Sequence, residues 1–369
     1  MLWYNITVGL IIRIERLFMS KDKIQENDAL FCKRNKVGGQ AVLEGVMMKS
    51  ANTVCVAVRA PEGNIVKDTT EFNSVRKKHK ILNIPLLRGV VNFFEMMKLS
   101  FKTLSVSGEL LGQDMEESKF EKWLQKKFGK SIMSVVMPIS IILGLALAVG
   151  LFFLLPSGGT GLIERLTGTA LPSYVKTLIE GALKILIFIS YLLLVSLMPD
   201  IKRTFMYHGS EHKSIACYEA GLELNVENVK TQTRFHRRCG TSFMFVMLIL
   251  GIIIGMLIPW DWANVDNRFL SILIRVGLKL VLLPFTVGIG YEFLMFSAKH
   301  DNWFIRALIA PGLWFQRITT REPDDSMIEV AIAALKGALP DEFNEEGELI
   351  EKSEEEQQAS DAEAEKVVI

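Results

Sequence analysis

The run Val175-Lys-Thr-Leu-Ile-Glu-Gly-Ala-Leu-Lys-Ile-Leu-Ile-Phe-Ile-Ser-Tyr-Leu-Leu-Leu-Val-Ser-Leu-Met198 decides what kind of chain this is. Its length matches the ~20 apolar residues that an α-helix needs to cross the hydrocarbon core of a bilayer. Three further runs, at 132–155, 241–259 and 269–298, have the same character. Half of the 369 residues are hydrophobic, which a soluble domain could also reach. The concentration of those residues in separate blocks is what predicts a polytopic α-helical membrane protein with about four transmembrane helices.

The short flanks set the orientation, because Lys and Arg are retained on the cytoplasmic side. Lys119, Lys122, Lys126, Lys127 and Lys130 crowd the entry to the first run, whereas the loop after it offers Arg165 and Lys176. Lys202, Arg203, Lys213, Lys230, Arg234, Arg237 and Arg238 lie between the second and third runs, and the last outer loop has Asp261, Asp266 and Arg268. Both termini and the 199–240 loop are therefore expected in the cytoplasm of a multi-pass cell-membrane protein. Cys32, Cys55, Cys217 and Cys239 all fall on that reducing side, which argues against disulfides and leaves ligation or packing. A net charge of +1 gives no reason to expect a nucleic-acid partner.

Residues 1–35 form an N-terminal segment whose first 18 residues are either an amphipathic surface helix or a start-site artefact, with translation beginning at Met19. Residues 36–83 read as a small cytosolic α/β region, since Thr53-Val-Cys-Val-Ala-Val-Arg59 and Ile65-Val66 flank a Pro61-Glu-Gly63-Asn64 turn. Residues 84–130 read as amphipathic helices; Phe93, Phe94, Met97, Phe101 and Leu104 suit either the membrane interface or a packed core. The membrane domain, 131–300, contains the 199–240 loop. A juxtamembrane stretch and a helix follow at 301–339, with Trp303, Trp314 and Arg317 suited to the headgroup level. The Glu-rich tail, 340–369, is expected to be disordered.

The chemistry concentrates in the 199–240 loop. His208-Gly-Ser-Glu211-His212 sets two imidazoles four residues apart, about 5–6 Å apart at Cβ on one helix face, close enough to share a metal ion. With Glu211 before the second His, this is also the H-x-x-E-H order of the inverzincins. The five histidines are His79, His208, His212, His236 and His300, so three gather here, together with Cys239. His236 and Cys239 are spaced for one helical turn, and a His/Cys donor set favours zinc. The candidate ligands are His208, His212, His236 and Cys239. Glu211 is the candidate general base, or a carboxylate that orients an imidazole. Against a metal stand Arg234, Arg237 and Arg238, which could instead hold an anionic lipid or, beside the metal, a phosphate-bearing substrate. Glu292, inside the last run, is a third-ligand or proton-carrier candidate. Lys279 lies deeper and needs a partner, while Glu180 and Lys184 can pair with each other.

Four blocks resemble the YqhQ-type family of bacterial integral membrane proteins, whose members are regarded as metal-dependent enzymes without an assigned reaction. They are Gly38-Gly-Gln-Ala-Val-Leu-Glu-Gly-Val-Met-Met48, Tyr207-His-Gly-Ser-Glu-His-Lys213, His236-Arg-Arg-Cys-Gly-Thr-Ser-Phe243, and Pro311-Gly-Leu-Trp with Thr319-Thr-Arg-Glu-Pro-Asp-Asp325. Arg237 stands where the family pattern usually has Pro. The resemblance implies a membrane protein with a metal site and adds Glu44 and Arg88 as candidate partners of that site. Two functions follow as expectations. One is a zinc-dependent hydrolase at the cytosolic membrane face; the other is a non-enzymatic assembly, regulatory or transport protein with a structural metal, transport requiring a homo-oligomer.

Overall fold

The computed structural model describes residues 37–111, 133–258, 267–299, 302–344 and 346–350. The expectations for residues 1–35, for the lysine-rich flank 119–130 and for the acidic stretch 351–369 lie outside them. Four strands come first: β1 (Gly38–Val42), β2 (Gly45–Lys49), β3 (Thr53–Arg59) and β4 (Ile65–Glu71). The helices are α1 (Leu87–Leu110), α2 (Met133–Val149), α3 (Leu155–Thr167), α4 (Ser173–Val195), α5 (Pro199–Glu219), α6 (Val226–Thr231), α7 (Gly240–Met256), α8 (Arg268–Lys299), α9 (Trp303–Thr319) and α10 (Asp325–Gly337). A π-helical turn, Gly150–Leu154, joins α2 to α3.

Among the described residues, three helices are long and apolar enough to cross a membrane: Ile142–Thr167, Ser173–Val195 and Leu270–Ser297. The first belongs to a helix that begins at Met133, so the 132–155 run is helical from Met133 and the helix continues to Thr167. Pro156 does not break it; the π-helical turn Gly150–Leu154 directly before the proline marks where the regular ladder is interrupted. The third expected span, α7, is a 17-residue apolar helix. It runs antiparallel to both neighbours. Near its start Phe245 meets Phe315 of α9, which stacks on Phe188 of α4; near its end Gly255 meets Thr177 of α4 and receives a hydrogen bond on its carbonyl from Arg275 of α8. Gly181 permits the close crossing of α4 and α7, since a Cβ there would meet Ile252 at 2.8 Å.

The β3–β4 hairpin forms as its alternation predicts, turning through Gly63 at φ +93. Strands β1 and β2, unanticipated, extend it to an antiparallel meander in the order β1-β2-β3-β4. Both faces of the two middle strands are covered. Val46, Met48, Cys55 and Ala57 pack with Tyr207 and Ile215 of α5 and with Ile328, Ala331 and Leu335 of α10. Met47, Val54, Val56 and Val58 face Leu99 of α1. A sheet buried on both faces needs continuous apolar strands, hence Gly45-Val-Met-Met48 in place of strict alternation.

Several expectations are corrected here. Glu180 pairs with Lys279 and, at 3.8 Å, with Arg275, both on α8, and not with Lys184 on its own helix. Glu292, the third-ligand or proton-carrier candidate, does not stand alone. Arg88 grips it with both nitrogens, at 2.7 and 2.5 Å, and so ties the start of α1 to α8. Residues 340–344 and 346–350 are folded: Phe343 is buried in the sheet core and bridges to Leu349. The exposed Phe94, Phe101, Trp303 and Trp314 remain unburied by the chain itself.

Candidate metal centre

Pro199 and Asp200 begin α5 in the positions that favour a helix start, with the ring at the first turn and the acid at the positive end of the dipole. From there the 3.6-residue period brings His208, Glu211 and His212 to one face. The ring nitrogens are fixed by main chain. Nδ1 of His208 lies 2.9 Å from the carbonyl oxygen of Thr319, and Nδ1 of His212 lies 2.6 Å from that of Arg234. A carbonyl can only accept, so each Nδ1 carries the proton and each Nε2 keeps its lone pair. This outer hydrogen bond is the arrangement that orients metal-binding imidazoles.

The free Nε2 of His208 sits 3.2 Å from Sγ of Cys239. One ligand atom each from His208, His212 and Cys239 lies within 4.8 Å of the others, and the two imidazole centroids are 4.4 Å apart. Zinc–nitrogen and zinc–sulfur bonds of about 2.0–2.3 Å fit a cluster of that size with little adjustment. Cys239 caps α7, its sulfur 3.5 Å from the Thr241 amide, and residues 237–238 form a turn outside any helix between His236 and Cys239. Burial pushes the pKa of His212 down, against the hydrogen bond from Cys239, which keeps the imidazole neutral and ready to ligate.

Glu211 is sealed beneath β1. The Gly39 amide donates to it, and a Cβ at Gly39 would meet its Cγ at 3.0 Å. Burial pushes its carboxyl above the usual range, opposed by His208, His236 and that amide. Its Oε2 has no hydrogen-bond partner and lies 3.7 Å from His208 Nε2. A buried carboxylate oxygen with nothing to bind is costly, and an ion or its water between these atoms would satisfy it.

The remaining candidates divide. His236 is adjacent, its ring centroid 5.6 Å from that of His212, but its Nε2 turns to Glu219 at 3.5 Å. Arg238 pairs with the same Glu219. Arg234 donates to the Thr320 carbonyl at 3.0 Å, so Arg234 and Arg238 each already hold a partner within the chain. Glu44 binds Arg203 and accepts from the Tyr207 hydroxyl at 3.3 Å, one residue before His208, and is a support of α5, not a ligand. Arg88 is committed to Glu292 on α8 and is likewise not part of the cluster.

Two residues unnoticed in the sequence hold the centre. Gln316, fully buried, accepts from the His236 amide at 2.8 Å and donates to the His236 carbonyl at 2.7 Å, clamping the loop that carries Cys239. Gly209 lets α5 touch residues 319–321, since a Cβ there would meet the Arg321 carbonyl at 2.0 Å. The glycines flanking both contacts were visible, but Gln316 sent no signal beyond its place in an aromatic stretch.

A helical protein with three candidate membrane-spanning helices, a small antiparallel sheet and a His/Cys cluster where they meet is the class this defines. The chain belongs to the family described as "Protein of unknown function (DUF1385)", whose model matches residues 84–341. It is 33% identical over 310 residues to "Uncharacterized protein YqhQ" of Bacillus subtilis (strain 168), covering 82% of this chain and 92% of that one. No solved structure matches it.

Proposed function

We propose that the chain is a zinc-dependent membrane enzyme, a hydrolase at the cytosolic face of the bacterial cell membrane. The observation that carries this reading is the pair of imidazoles whose Nδ1 protons go to main-chain carbonyls while Nε2 of His208 meets a cysteine sulfur, beside a carboxylate with an unmatched oxygen. Thiolate and imidazole donors favour zinc over magnesium or calcium. His208, His212 and Cys239 are three ligands, which leaves the fourth position that catalytic zinc keeps open. Zinc held there would supply a Lewis acid and make a water acidic near neutral pH. Glu211 Oε2 is the atom that would accept the proton of that water.

Topology supports the cytosolic placement. Helix α7 lies along α4 and α8 from Phe245 to Gly255, which supports its reading as a fourth crossing despite its 17 residues. Four crossings put both termini and α5 on one side, and the Lys/Arg-rich 199–240 loop marks that side as the cytoplasm. A second reading rests on burial. His212 and Glu211 are 1% and 4% exposed, so Glu211 could be a fourth ligand that closes a structural zinc in an assembly, regulatory or transport protein.

Metal analysis of purified protein should find about one zinc per chain, as expected for a single three-ligand site. His208→Ala should lose it. Glu211→Gln should keep the zinc and abolish any ester, phosphoester or peptide hydrolysis found with wild type. Loss of zinc in Glu211→Gln would favour the structural reading, and wild type without zinc would contradict both.

A further inference from the structure

A second feature stands apart from the metal centre and does not depend on it. Between α4, α7 and α8 lies a cavity of about 360 Å³, within the ~300–1,000 Å³ typical of small-molecule sites. Phe152, Phe188, Met247 and Leu283 are among its walls, and two of its few polar groups are Lys184 and Lys279. Both lysines belong to candidate membrane-spanning helices. Charges at such depth mark a ligand or ion path unless they are paired.

The pairing is incomplete. Glu180 is shared between Lys279 and Arg275. Lys184, 9% exposed, has no carboxylate within ion-pair distance among the described residues, and its Nζ stands 4.9 Å over the ring of Phe153. The cavity thus offers a buried amine whose electrostatic partner on its own helix, Glu180, is already bonded to Lys279 and Arg275, and a long apolar wall. A small hydrated anion would gain the ammonium but lose its water to phenyl and alkyl groups. A neutral lipid would fill the wall and leave Lys184 uncompensated. Only a molecule with both parts satisfies the whole surface.

We propose that this cavity binds a single-chain lipid with an anionic head, carboxylate or phosphate, whose head meets Lys184 beside Lys279 and whose chain lies against Phe152, Phe188, Met247 and Leu283. The test uses the full chain in phosphatidylcholine vesicles, with a photoactivatable palmitic acid and the corresponding alcohol as probes. The acid should crosslink to the cavity walls of α4, α7 and α8, at least about tenfold more than the alcohol, the scale of one charge-assisted contact. Lys184→Met should reduce labelling by a similar factor, and Lys184→Arg should retain it. Gly251→Leu provides a variant with every charge intact, since a side chain there enters open space in the cavity wall. It should block labelling. Competition by palmitate or by monohexadecyl phosphate identifies the preferred head. Equal labelling by acid and alcohol, labelling indifferent to both Lys184→Met and Gly251→Leu, or displacement by neither competitor would overturn the proposal.

Discussion

Gly209 separates His208 from Ser210 for a reason that the metal-binding pattern does not contain. Its missing side chain lets the Arg321 carbonyl rest on α5, and the same segment presents the Thr319 carbonyl that holds His208 Nδ1. A methyl group would meet backbone, which cannot rotate away as a flexible side chain can. Gly209→Ala should therefore push residues 319–321 off the helix, free the His208 ring and weaken zinc binding by about 10–100-fold, the range for lost outer-shell partners. Competition with a chromophoric chelator measures this, and unchanged affinity would mean that the carbonyl contact does not orient the ring. The two histidines and Glu211 were legible in the sequence because helical spacing is local. Their partners were not: Arg234, Gln316 and Thr319 reach the site residues from positions 22 to 111 away, and no periodicity encodes such contacts.

At the scale of elements, glycine concealed half of the sheet. Gly38, Gly39 and Gly45 carry no strand signal in the sequence, yet all three sit in β1 and β2, where a Cβ at Gly39 or Gly45 would strike the carbonyl of Met47 or Ala57. These two are required by close approach, which is a tertiary fact. The hairpin of β3 and β4 needed nothing from outside and was read correctly. The contact of α1 with α8 is the converse case, a long-range tie whose two ends, Arg88 and Glu292, were noticed in the sequence but not paired with each other. Arg88 reaches both oxygens of Glu292, and the Leu86 amide adds a third bond at 3.3 Å. Arg88→Glu or Glu292→Arg alone should lower the thermal unfolding midpoint in detergent. The double exchange should recover part of the loss, with a coupling of ~0.5–3 kcal/mol typical of residues in contact. Strict additivity of the two losses would mean the ion pair contributes nothing to docking α1.

At the scale of the molecule, the chain closes on itself. The sheet from residues 38–71 is roofed by α10 from residues 325–337, and the His/Cys cluster lies where sheet, α5 and the head of α7 meet. That closure requires the sheet and α10 to share one side of the membrane, which three crossings between them would forbid and four allow. Single cysteines at Lys67 and Lys336, in a variant with the native cysteines replaced, should both be blocked by a membrane-impermeant maleimide only after the cells are opened. Labelling of one in intact cells would remove α7 from the membrane and the site from the cytoplasm. The central claim, that His208, His212 and Cys239 form an open zinc centre, is tested most directly by zinc X-ray absorption on the purified full chain. The account predicts one sulfur at about 2.3 Å, two imidazole nitrogens at about 2.0–2.1 Å and one further light-atom ligand that survives in Glu211→Gln. Zinc coordinated without sulfur, or no zinc in the preparation, would contradict it.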